Sequence, residues 1–118
     1  MGMISMRKGE IWLINLDPTI GAEIRKTRPA VIVSEDAIGI LPLRVIVPLT
    51  DWKDRYSIAA WLVPISPDTQ NGLAKPSAAD AFQIRSVSQD RFIHCLGALQ
   101  KDQIEQILKA IQIVIGAS

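Results

Sequence analysis

Helical periodicity occurs once in this chain, and only after residue 100. Ile104, Ile107, Leu108, Ile111, Val114 and Ile115 follow i, i+3, i+4, i+7 spacing, while Glu105, Gln106, Lys109 and Gln112 lie elsewhere. Asp102 stands in the first turn, where the helix dipole favours a carboxylate, and Gly116 is placed for the left-handed residue just past the end. Everything earlier is short apolar runs divided by turn residues. This combination confines the chain to a mainly β class with a C-terminal α-helix, a small and strongly curved sheet or barrel capped by that helix.

The runs are consistent with five or six strands. The first, 10–16, ends at the turn signal Asp17-Pro18. The second covers 30–34 and the third 44–50, where Pro48 predicts an edge position or a bulge. Further strands are expected at 57–65, 78–87 and 92–99, the last two joined by a turn at Ser88-Gln89-Asp90. Between the fourth and fifth runs lie Ser66, Pro67, Asp68, Asn71 and Gly72, dense turn chemistry that marks the expected mobile loop.

At 118 residues the chain fits one domain, read as a tail over 1–7 and a domain over 8–118. Its hydrophobic fraction of 48% and mean hydropathy of +0.21 are high for so small an interior, and a homodimer is the natural way to cover the excess. A net charge of +1 argues against broad wrapping of duplex DNA, so any nucleic-acid site is local. The single cysteine, Cys95, cannot form an internal disulfide, and no Cys/His cluster has metal-ligand spacing. A reducing cytoplasm fits. No apolar run approaches the ~18 residues of a membrane span, and the first eight residues lack the core of a signal peptide.

Charge concentrates at 23–35, where Glu23, Arg25, Lys26 and Arg28 precede Pro29 and a β-branched run. Arg28, pushed towards extended backbone by the proline, has a planar fork that can take two phosphate oxygens. A surface pairing with Glu23 or Glu35 accounts for it equally well. Glu23 is a candidate general base or an orienting group for Arg28, against the plainer reading of a solvated carboxylate. Arg25 and Lys26 would attract an RNA backbone, or serve solubility alone. Thr50 offers a hydroxyl at the end of the third strand, although a threonine there more often satisfies local backbone. Trp52, amid Asp51, Lys53, Arg55 and Tyr56, suits stacking of unpaired bases or packing on the sheet. Gln83 and Arg85, two apart and so on one strand face, could contact nucleotides with Asp80, or could be an ordinary solvated face. His94 reads as a partly buried strand residue, since no partner for catalysis is evident.

Several segments then fall into a known order: Lys8-Gly9-Glu10-Ile11-Trp12, Leu16-Asp17-Pro18, Gly21-Ala22-Glu23, Thr27-Arg28-Pro29-Ala30, Pro48-Leu49-Thr50, Gln83-Ile84-Arg85-Ser86-Val87, Arg91 and Leu96-Gly97-Ala98-Leu99. Together they resemble the MazF/PemK toxin family, from about Lys8 to the C-terminus. The resemblance implies a small SH3-like barrel of the MazF/PemK/CcdB type, a homodimer, and a metal-independent endoribonuclease that cleaves single-stranded RNA without a cofactor. It also implies a cognate antitoxin that occupies the RNA groove, with operator DNA reached only through the antitoxin complex. Arg28 and Thr50 correspond to the family's catalytic arginine and threonine, Glu23 to its loop glutamate, and Gln83 and Arg85 to a strand contributing to the groove and dimer. One branch of the family has an acid just before that glutamine; here the residue is Phe82.

The implied reaction is attack of a 2′-OH on its own 3′-phosphate, giving a 2′,3′-cyclic phosphate and a 5′-OH. Arg28 would stabilise the transition-state charge, its high pKa making it a poor base. Glu23 is the first choice of base, then Asp80, with His94 a remote third. A non-catalytic SH3-like binding module and a gyrase-inhibiting toxin of the same fold are the readings from other classes.

Overall fold

The computed structural model describes residues 5–38 and 41–117, so the expected tail at 1–7 lies partly outside the described residues. Seven strands form one antiparallel sheet: β1 (Glu10–Asn15), β2 (Thr27–Ile32), β3 (Leu43–Asp51), β4 (Leu62–Ile65), β5 (Ser77–Asp80), β6 (Arg85–Ser88) and β7 (Phe92–Ala98). The helix α1 (Lys101–Ile115) follows. The path runs β4-β5-β3-β2-β1-β7, with β6 also paired to β3. The mainly β class with a C-terminal helix is therefore the observed one.

The expected barrel is not closed by strand pairing. β4 and β7 end the path without pairing to each other. The loop over 66–76 spans the gap instead, and the Ala98 N–H donates to the Gln70 carbonyl at 2.9 Å. That approach is close enough to dictate glycine: a Cβ at Gly97 would strike the Gln70 carbonyl, and one at Gly72, where φ is +69°, would strike the Leu96 carbonyl. Buried Asn71 fixes the loop from within. Its Oδ1 accepts from the N–H groups of Asp68 at 3.2 Å and Leu73 at 3.0 Å, and its Nδ2 donates to Ser66 at 2.8 Å. The segment expected to be mobile is tied at its centre and along its flank.

The run at 78–87, expected as one strand, is two. Three steps along β3, from Leu49 to Ile46, correspond to six on its partner, from Ala79 to Arg85. The surplus is taken up by a 3-10 turn at Ala81–Gln83. Pro48 lies opposite this interruption, fully buried in a central strand and paired with Ala30 of β2. A proline has no N–H to give a ladder, so the bulge it predicts appears in the neighbouring strand. The run at 57–65 is likewise shorter, a 3-10 turn at Asp54–Ile58 preceding β4.

Two cores sit on opposite faces of the sheet. One joins Ile11, Val31, Val47, Leu49 and Ile65 to Ile107 and Ala110 of α1. The helix presents the anticipated stripe, except that Ile115 is exposed. Gln103 Oε1 accepts from the Gln100 N–H at 3.0 Å at its start, and left-handed Gly116 ends it. The other core gathers Trp12, Ile14, Leu16, Ala30, Ile32, Ile46 and Val87 on the face away from α1.

Candidate active site

On the face away from α1, the ends of β2 and β3 carry Arg28 and Thr50, the first two candidates. Their ladder pairs Ala30 with Pro48 and Val31 with Val47. The ladder ends at Ala30 and Pro48, and its register, continued two residues past that end, points Arg28 towards Thr50. Ile14 pairs with Arg28 on one side and Ala78 with Thr50 on the other. Opposed residues of an antiparallel ladder share a face, so the row reads Ile14, Arg28, Thr50, Ala78. Its outer members are buried, and the polar pair between them is half-exposed.

Arg28 donates from Nε to the Arg25 carbonyl at 2.9 Å, which orients the guanidinium and leaves its terminal nitrogens unpaired among the described residues. Neither Glu23 nor Glu35 neutralises it; Glu35 pairs with Lys8. The Thr50 hydroxyl also has no partner among the described residues, so it is not consumed by local backbone. A fixed, unpaired cation beside a free hydroxyl is an arrangement suited to a phosphate.

The loop over 17–26 carries Glu23, Arg25 and Lys26, and distant side chains hold it in place. The Gln83 amide bridges it at two points, Oε1 accepting from the Ile24 N–H and Nε2 donating to the Ala22 carbonyl, both at 2.9 Å. Arg85 Nη1 donates to the Leu16 carbonyl at 3.1 Å. Arg91 Nη1 donates to the Asn15 carbonyl at 3.1 Å and also to that of Asp17. Gln83 lies in the 3-10 turn rather than in a strand with Arg85, so convergence on this loop, not a shared strand face, unites them. Lys26 adopts φ +72°, its N–H bonded to Asp17 Oδ1 at 3.0 Å. The cationic heads of Arg25 and Lys26 make no ion pair among the described residues.

The two carboxylates differ. Glu23 turns back on its own loop, Oε1 accepting from the Ile20 N–H at 2.6 Å. Asp80 is two residues beyond Ala78 on β5, and therefore on the same face as Thr50. Burial pushes its carboxyl above the ordinary aspartate value, against the opposing pull of the Phe82 and Gln83 backbone N–H groups. His94 is exposed rather than partly buried, and it pairs with Leu13, whose side chain points to the opposite face from Ile14 and Arg28. It is also two strands from β2.

Trp52 packs edge-on against Tyr56 at 5.9 Å between ring centroids, with the Arg55 guanidinium 5.5 Å from the Tyr56 ring. This small cluster is self-contained. Two open hollows flank the 17–26 loop: one of about 550 Å³ touching Arg25 and Lys26, the other of about 500 Å³ lined by Ala22, Glu23, Phe82, Gln83, Ile84 and Arg85. Residue spacing assigns no role to Arg91 and marks Phe82 only as the place of an absent acid, and only the fold brings Trp61 beside Phe82.

The profile of a family described as PemK-like, MazF-like toxin of type II toxin-antitoxin system matches residues 7–115. Endoribonuclease MazF9 of Mycobacterium tuberculosis is 32% identical over 114 residues, which covers 92% of this chain and 94% of that protein. Among solved structures, MazF of Deinococcus radiodurans matches with a TM-score of 0.78 at 21% identity, covering 93% of this chain and 96% of that one. A mycobacterial endoribonuclease solved in complex with its cognate antitoxin matches with a TM-score of 0.75 at 19% identity, covering 97% and 98%. At such identities these structural matches speak for the fold.

Proposed function

Because the chain belongs to the PemK-like, MazF-like family of type II toxin-antitoxin toxins, we propose that it is an endoribonuclease that cuts single-stranded RNA without a metal or cofactor. The observation that carries this reading is the row in which Arg28 faces Thr50, both with polar groups left free among the described residues. The target nucleotide lies across the ends of β2 and β3. Its 2′-OH attacks the adjacent phosphorus, the P–O5′ bond breaks with the departing O5′ taking a proton from water, and the products are a 2′,3′-cyclic phosphate and a 5′-OH. Arg28 stabilises the charge that builds on the non-bridging oxygens. Thr50 holds one of those oxygens or the attacking hydroxyl.

Asp80 takes the 2′-OH proton in this proposal, displacing Glu23 from that role. Its raised pKa makes it a stronger base than an ordinary aspartate where it is ionised, and it shares a face with Thr50. Glu23 shapes the loop, while Gln83, Arg85 and Arg91 hold that loop over the substrate. Arg25, Lys26 and Trp52 meet the flanking chain by charge and by stacking. The excess apolar surface, including Ile20, Ile58, Ile93 and Ile113, supports a homodimer. The cognate antitoxin competes with RNA for the groove, in the cytoplasm. Among the described residues no helix is long and apolar enough to cross a membrane.

Purified protein incubated with a long RNA in EDTA tests the reading. Discrete cuts whose upstream fragments end in 2′,3′-cyclic phosphate are expected. Intact RNA across varied sequences, with simple binding or gyrase inhibition instead, would overturn it.

A further inference from the structure

We propose that Trp61 and Phe82 form a platform on which an unpaired base beside the cleaved phosphate stacks; this rests on the endoribonuclease reading above. Large aromatic rings are ordinarily among the most buried side chains, yet Phe82 is 66% exposed and Trp61 42%. The two rings meet edge-on, 6.3 Å between centroids, at the mouth of the 500 Å³ groove that Phe82 lines with Glu23 and Gln83. Their position is built rather than incidental. Asp80 Oδ1 accepts from the Phe82 N–H at 3.1 Å, and the Ala81 N–H donates to the Trp61 carbonyl at 2.9 Å. The interruption opposite Pro48 pushes this turn out of the sheet, and Phe82 is its outward residue.

The surroundings identify the occupant. The second hollow along the 17–26 loop carries Arg25 and Lys26, neither ion-paired among the described residues, and Arg28 follows at the loop's end. Cations and bare rings bordering one loop match a single-stranded nucleic acid, which offers both phosphates and free π-faces. The Gln83 amide and Arg85 Nη1 are engaged by backbone carbonyl and N–H groups, so the groove's one π-face open to a base is the Phe82 ring. The Glu23 carboxylate, whose Oε1 accepts from the Ile20 N–H, lines the same groove.

The test measures binding of a labelled short single-stranded RNA pool to the full chain by anisotropy, and cleavage of a long RNA, for wild type, Phe82→Ala, Trp61→Ala and Phe82→Tyr. Base-on-aromatic stacking predicts roughly 5- to 30-fold weaker binding for each alanine variant, and near wild-type binding for Phe82→Tyr. Cleavage at saturating RNA is expected to persist in Phe82→Ala, with the loss in KM. An abasic substitution at the stacked position costs wild type affinity but costs Phe82→Ala little. Unchanged binding by Phe82→Ala would overturn the platform while leaving the nuclease intact. Wild-type binding that Phe82→Ala weakens, without any cleavage, would keep the platform and sink the nuclease. Loss of the dimer by light scattering in both alanine variants would assign the rings to a contact between copies instead.

Discussion

Two turn-rich loops of this protein are held in opposite ways. The 66–76 loop is fixed from inside, by the buried Asn71 amide and by backbone packed so closely on β7 that only glycine fits at 72 and 97. The 17–26 loop is fixed largely from outside, by Gln83, Arg85 and Arg91 reaching the backbone of the loop and of the Asn15-Leu16 segment that enters it, from the 3-10 turn at Ala81–Gln83, from β6 and from the turn just before β7. The first arrangement completes the sheet where strand pairing stops. The second leaves the cationic heads of Arg25 and Lys26 without an ion pair among the described residues, while Asp17 and Glu23 bond to the loop's own backbone. On the proposed function, stability and recognition fall to different loops.

The largest expected effect lies at the end of the outward-held loop. Arg28→Ala is expected to lower single-turnover cleavage by ~10²–10³-fold, the range for losing one donor to developing charge, with the thermal midpoint unchanged. Next comes the clamp. Gln83→Leu removes both amide contacts, so kcat/KM is expected to fall roughly 10- to 100-fold, and limited proteolysis to open first at 17–26. Asn71→Ala inverts that pattern: leaving the Asp68 and Leu73 N–H groups and the Ser66 carbonyl without their partner is expected to cost at least ~2 kcal/mol in denaturant unfolding, with activity per folded molecule preserved. Equal loss of activity in Asn71→Ala and Gln83→Leu would erase the distinction between the loops.

Smaller effects refine it. Because the Asp80 pKa is raised, the folded protein holds that proton more tightly than the unfolded chain, and stability declines as pH rises from the ordinary aspartate value through the raised one. Cleavage runs the other way, falling as pH drops through the raised value. Asp80→Asn is expected to abolish that acidic limb and Glu23→Gln to leave it in place; the reverse pattern in a pH-rate profile would return the base to Glu23. Neutralising Arg25 and Lys26 to Gln is expected to reduce the salt dependence of RNA binding by about 0.7 in log-log slope per lost phosphate contact, with kcat unchanged.

The helix and most strands could be read in the sequence because periodicity and turn residues mark them locally. The 3-10 turn at Ala81–Gln83 could not, since Ala-Phe-Gln carries no turn chemistry and its cause, Pro48, lies on another strand. The exposure of His94 was hidden for a similar reason: β7 lies at the end of the sheet path, and β-branched or aromatic neighbours do not distinguish such a strand from a central one. Arg28, Thr50 and Glu23 could be picked out by residue type and resemblance. That Arg28 faces Thr50, and that Glu23 is occupied with its own turn, depends on register and loop geometry, which residue spacing along one strand does not contain.

A double-mutant cycle on Arg28→Ala and Thr50→Ala, followed by single-turnover cleavage of one short RNA in EDTA, tests most directly whether those two residues act on one phosphate. Opposed side chains sharing that group predict strong coupling, the double variant little slower than Arg28→Ala alone. Effects that simply multiply, or a single variant cleaving at the wild-type rate, would contradict it.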